Sequence, residues 1–186
     1  MIRFSNKVFW SCCFVVFFPP SIFAESSLND CTLRFSQSVV GSWRWTNHWS
    51  TGTGQHGDGS FNDGSGTAKV LETESGIFEM QAEGDDGQSF SNTWQGRAVS
   101  KTTTKNSLGE NTSVVYTKDC HLRDDGSLIV IYSNVTASQI NGSIRENEVH
   151  DFLTGNRWHR TWRSRPAGSD IPFSTWASWT GTRGTD

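Results

Sequence analysis

Val39-Val40-Gly41-Ser42-Trp43-Arg44-Trp45-Thr46-Asn47-His48-Trp49 is the stretch on which the fold turns. Side chains two apart on a strand share a face, so Trp43, Trp45 and Trp49 line one side while Arg44, Thr46 and His48 line the other. Three indoles on one face require an apolar layer opposite. Just upstream, residues 25–38 are polar with Leu28, Leu33 and Phe35 interspersed, which suits an ordered arm containing one helical turn. No apolar stripe of 3.6-residue period is long enough for a major helix.

Downstream, residues 50–66 carry Gly52, Gly54, Gly57, Gly59, Gly64 and Gly66. So many glycines prevent a regular element and predict a long loop, Gly52 to Gly66, that would serve as a lid. Asp58, Ser60 and Asn62 have the alternate spacing of a calcium loop, but Asp63 stands where a glycine is needed and no glutamate follows at the twelfth position. Seven further runs then alternate with turn signals: residues 67–73, 77–83, 89–101, 112–122, 127–140, 143–153 and 157–164. Asp86-Gly87, Asp125-Gly126 and Asn141-Gly142 supply the positive φ of tight hairpins, which predicts antiparallel neighbours. Eight strands joined by short turns are best closed as an all-β, eight-stranded antiparallel up-and-down barrel, because closure removes both unpaired edges.

The ends of the chain differ from this body. Arg3 and Lys7 precede a short apolar stretch over residues 8–18, then Pro19-Pro20 and Ala24, the pattern of a signal peptide over residues 1–24 cut before Glu25. Ile22 is a poor residue three positions before a cut, so an uncleaved anchor is the alternative. Cleavage predicts an exported, periplasmic or secreted chain that is not transmembrane, with its barrel domain over residues 25–164. Residues 165–186 form a polar C-terminal tail with aromatic anchors; Trp176 and Trp179 there pack across the barrel, contact a protein partner or lie loose.

Removing Arg3 and Lys7 takes the formal charge from −3 to −5, which disfavours nucleic acid or an anionic membrane as the main partner. Of the 4 cysteines, Cys31 and Cys120 lie outside the leader, and an even pair in an exported chain predicts a disulfide.

The chain resembles the lipocalins, or the wider group of calycin-like barrels. The resemblance rests on Gly41-Ser42-Trp43 at the head of the first strand, the long first loop and basic residues on the last predicted strand. It implies structural roles for Gly41 and Trp43, with Trp43 closing one barrel end and Arg160 or Arg163 packing over its ring, a cation–π contact of about 1 kcal/mol. The family's middle motif is matched only loosely by Asp124-Asp125-Gly126, and its common cysteine pairing is different.

Chemistry is sparse. None of the 5 histidines falls in an H-E-x-x-H or comparable motif, and no phosphate loop, dinucleotide fingerprint or nucleophile elbow occurs, so no metal and no cofactor is expected. Glu146, Glu148 and His150 share a face and hold the ingredients of acid–base catalysis if that face is inside; Val149 and Leu153 on the opposite face place them outside. Eight of the 9 tryptophans follow the leader, and they either line a cavity or plug the barrel. The leading expectation is a barrel binding a small hydrophobic or aromatic ligand through Trp45, Met80, Phe90 and Trp94. The rivals are an enzyme acting on a small molecule through Glu146, Glu148 and His150, and an envelope-associated interaction module or inhibitor.

Overall fold

The computed structural model describes residues 20–50, 61–107, 109–137 and 143–184. One helix, α1 (Pro20–Ser38), precedes ten strands: β1 (Gly41–Ser50), β2 (Phe61–Glu74), β3 (Ile77–Gly84), β4 (Ser89–Gln95), β5 (Val99–Asn106), β6 (Gly109–Leu122), β7 (Leu128–Ala137), β8 (Ile144–Thr154), β9 (Arg157–Pro166) and β10 (Ser174–Arg183). Each strand pairs antiparallel with the next, and β10 returns to β1, so the sheet is a closed up-and-down barrel.

The barrel has ten strands, not eight. One extra strand comes from residues 89–101, which break at Gly96-Arg97-Ala98 into β4 and β5. A side chain at Gly96 would meet Phe78 at 2.9 Å and Leu33 of α1 at 3.0 Å, so the chain turns where helix and barrel touch. The other is β10, drawn from the predicted tail. Its inward residues alternate as Ala177, Trp179 and Gly181, opposite Trp49, Asn47 and Trp45 of β1. Small residues flanking one indole give a weak apolar period, which a Ser- and Thr-rich segment hides.

Other expectations shift likewise. Residues 61–66 of the predicted lid belong to β2 and pair with β1; residues 51–60 lie outside the described part, as do residues 1–19 of the predicted leader and Asn141-Gly142. The predicted hairpin glycines Gly87 and Gly126 both have φ of 80°, and Gly76 and Gly155, at the turns between neighbouring runs, have 75° and 46°, as tight turns require.

The N-terminal arm is the 19-residue helix α1 rather than a single turn. Its buried face mixes Phe35 with Thr32 and Ser36, which dilutes the apolar stripe. Those hydroxyls are satisfied within the helix, Thr32 donating to the Leu28 carbonyl and Ser36 to that of Thr32. Ser36 also accepts from the Trp94 indole at 3.1 Å, and the Asn29 side chain accepts the Ala98 amide at 2.8 Å. Cys31 and Cys120 form a disulfide between α1 and β6. The helix thereby plugs one barrel end, over a core of Phe35, Val39, Trp43, Val70, Val130 and Trp158. No helix among the described residues is long and apolar enough to cross a membrane.

Candidate ligand-binding cavity

Above this core the barrel interior is not filled. A cavity of about 210 Å³ remains, room for roughly seven waters at about 30 Å³ each. Its apolar surface comes from Phe35, Met80, Trp94, Tyr132, Trp158 and Trp162. Toward the barrel end away from α1, called the mouth below, the lining turns polar, with Asn92 of β4, Thr102 and Thr104 of β5, Asn111 and Ser113 of β6, and Asn134 of β7.

On β5, and on the ends of β6 and β7 away from α1, the usual order is reversed. Val99, Val114, Tyr116 and Val135 are exposed on the outer wall, whereas hydroxyls and amides face inward. Some of those polar groups satisfy each other: Thr104 donates to Asn92 at 3.2 Å and Asn134 to Ser113 at 3.2 Å. These groups are half-buried, and Asn111 is exposed; polar groups on an inner wall are favoured when they are paired.

One ion pair anchors the apolar end. Asp151 is fully buried on β8, and Arg160 of β9 grips it with two bonds of 2.7 Å each. The Trp158 indole donates to the same carboxylate at 2.8 Å, and the guanidinium lies 4.9 Å from the Trp158 ring and 5.6 Å from that of Trp162. Burial would lower the Arg160 pKa, but the Asp151 charge and hydrogen bonds more than offset it and hold the guanidinium charged. Burial and the same carboxylate push the nearby Tyr132 phenol well above its ordinary value.

The barrel is similar in fold to Rv2717c from M. tuberculosis. With that crystal structure the TM-score is 0.57 at 11% sequence identity, over 83% of this chain and 98% of the other. No family model matches the chain, and no curated protein matches it. At that identity the likeness speaks for the fold alone.

Of the four expected ligand contacts, Met80 and Trp94 line the cavity, and Trp94 stacks on Phe78 at 5.7 Å. Trp45 and Phe90 also face inward, but they meet edge to face at 6.3 Å beside a separate recess of about 550 Å³ at the mouth. There the Trp45 indole nitrogen and the Asn47 side-chain oxygen are buried without a hydrogen-bond partner among the described residues.

Neither Arg160 nor Arg163 covers Trp43. Arg183, on the true last strand, lies 4.6 Å from that ring; Arg160 is committed to Asp151, and Arg163 binds Glu148 on the outside. Glu146, Glu148 and His150 are on the outer face, alternating with inward Val149, Asp151 and Leu153. Glu148 pairs there with Lys118, His150 and Arg163, and Glu146 with Arg165. Phe173 lies across these cations, 4.5 Å from Arg165. The cluster therefore does not face the cavity, as acid–base chemistry on an enclosed substrate would need. Trp179 is buried against Trp158 at 4.8 Å, while Trp176 stays 37% exposed beside Trp162.

Sequence reasoning missed the Asp151–Arg160 pair and the polar wall. Asp151 did carry a signal, a lone carboxylate between Val149 and Leu153 on the inward face of a strand. The polar wall carried none, because β5 is polar on both faces.

Proposed function

We propose that this protein is an exported binding barrel of lipocalin-like or wider calycin-like type, which holds a small amphipathic ligand between α1 and the opposite end of the barrel. The observation that carries the reading is the cavity of about 210 Å³ with indoles at one end and amides and hydroxyls at the other. A ligand with a flat apolar body would lie on Met80, Trp94 and Trp162 and direct polar groups toward Asn92, Asn111 and Asn134. A simply hydrophobic molecule would leave without a partner the amide groups that Thr104 and Ser113 do not already engage, and an unmet buried polar group costs about 1–3 kcal/mol. The Arg160–Asp151 pair supports a preformed floor, since both charges are already satisfied.

Native mass spectrometry of the secreted, disulfide-intact protein, together with tryptophan quenching against aromatic metabolites and fatty acids, tests the proposal. A retained small molecule, or saturable quenching that a space-filling Thr102→Trp variant abolishes while still folded, is the expected result. Absence of both across the panel would show a barrel that stores only water. Export has its own check: the secreted chain should begin at Glu25.

A further inference from the structure

The last three strands place three arginines on the inner face of the barrel, and two of them are already engaged. Arg160 is bound to Asp151. Arg183 closes the helix end, bonded to the carbonyls of Val40 and Ser38. Arg145, on β8 near the end of the barrel away from α1, is different. It lies opposite Thr136 of β7, which lines the cavity, and its side chain is half-buried.

The Arg145 guanidinium leans down the barrel toward Ser164, a residue that pairs with Asn147 and so sits two positions deeper. Nε and Nη2 both donate to the one Ser164 hydroxyl, at 3.1 and 2.7 Å. That uses two of the five N–H donors of an arginine and leaves three. Among the described residues no carboxylate lies within ion-pair reach of it. The acids at this end of the barrel are engaged elsewhere: Asp63 with His48, Asp85 with Arg44 and Ser65, Asp86 with the Gln88 amide, Glu110 with Lys105, and Glu146, on the outer face, with Arg165. A half-buried cation without a counter-ion is unfavourable, and a planar fork with free donors matches a carboxylate in geometry and charge.

We infer that the ligand is a small organic acid, its carboxylate paired with Arg145 at the mouth and its flat body on the Met80, Trp94 and Trp162 surface. This rests on the cavity reading above and adds the charge of the ligand and the direction in which it enters. The neutralised Arg160–Asp151 floor takes the uncharged end.

Isothermal titration with 1-naphthoate and with 1-naphthamide, matched in shape and different in charge, is the test, on the disulfide-intact chain and its Arg145→Gln variant. The wild type should bind naphthoate about tenfold or more tighter than naphthamide at low salt, and Arg145→Gln should erase that preference by weakening naphthoate far more than naphthamide. The ligand-free variant should be as stable as the wild type or more so, because it loses an unpaired charge. Equal binding of both compounds by the wild type sinks the acid preference and leaves the cavity reading standing. A naphthoate preference that survives Arg145→Gln, or a variant that loses stability with no change in the preference, makes Arg145 a structural residue and overturns the inference. Binding of neither compound overturns the cavity reading and this inference with it.

Discussion

The Arg183 guanidinium lies 4.6 Å from the centre of the Trp43 ring and bonds the carbonyls of Val40 at 2.7 Å and Ser38 at 2.6 Å. One side chain at the end of β10 thus closes the barrel seam, covers the indole at its base and caps the end of α1. Trp43 completes the arrangement by donating to the Val39 carbonyl at 2.8 Å. Replacement Arg183→Met should cost about 2–3 kcal/mol, from two charge-assisted hydrogen bonds and a cation–π contact. Urea denaturation measures it; a loss below about 0.5 kcal/mol would mean that water caps the helix equally well.

Gly41 shares that corner. Its φ is 133°, and a side chain there would meet the Arg183 Nη1 at 2.7 Å. Gly41→Ala is expected to cost about 1–3 kcal/mol through backbone strain, and more if Arg183 is displaced. A double-mutant cycle with Arg183→Met separates the two contributions, since only displacement of the arginine makes them non-additive.

Asp151 is completely buried and holds Arg160, itself only 17% exposed. Removing one partner strands a charge, so Asp151→Asn should lose about 3–5 kcal/mol. The paired replacement Asp151→Leu with Arg160→Met should recover most of that loss. If the single variant were as stable as the wild type, the pair would have to be water-accessible.

The Cys31–Cys120 bond joins residues 89 apart in the chain. Closing a loop of that length is worth on the order of 4 kcal/mol in the chain-entropy model. Reduction should lower stability by about that amount and release α1 first, because the helix touches the barrel mainly near β6. Hydrogen exchange of α1 with and without reductant shows it: equal protection would mean that Phe35 and the Ser36–Trp94 bond hold the helix by themselves.

Acid should weaken the outer wall. Asp85 titrates below its ordinary 3.8 through the Ser65 hydrogen bond and Arg44, and Glu146 below 4.5 through Arg165 and the Gly168 amide. At Glu148 burial acts upward, but His150 and Lys118 outweigh it and the net shift is also down. Carboxylates lowered in the folded state stabilise it above their ordinary values and lose that contribution as pH falls through the folded ones. The urea midpoint should therefore decline from about pH 4.5 downward. A midpoint that holds steady down to about pH 2 would show that the unfolded chain depresses these groups equally.

What the sequence determined by itself was local. Alternation over two residues and turns ending in Gly76, Gly87, Gly126 and Gly155 make an antiparallel meander unavoidable, because strand period and positive φ are set within a few residues. The inward direction of Met80, Trp94 and Trp158 follows from the same period, and so does the outward direction of Glu146, Glu148 and His150. Tertiary structure decided the rest. Trp179 and Arg183 become part of the wall only when β10 meets β1, more than a hundred residues away in the chain, and the choice of Arg183 over Arg160 as partner of Trp43 follows from that pairing. The helix depends on a barrel end that covers Thr32 and Ser36. The cavity was least visible of all: nothing in the sequence marks Thr102, Ser113 and Asn134 as inward until closure turns them there, since a polar alternation does not say which side of a sheet is enclosed.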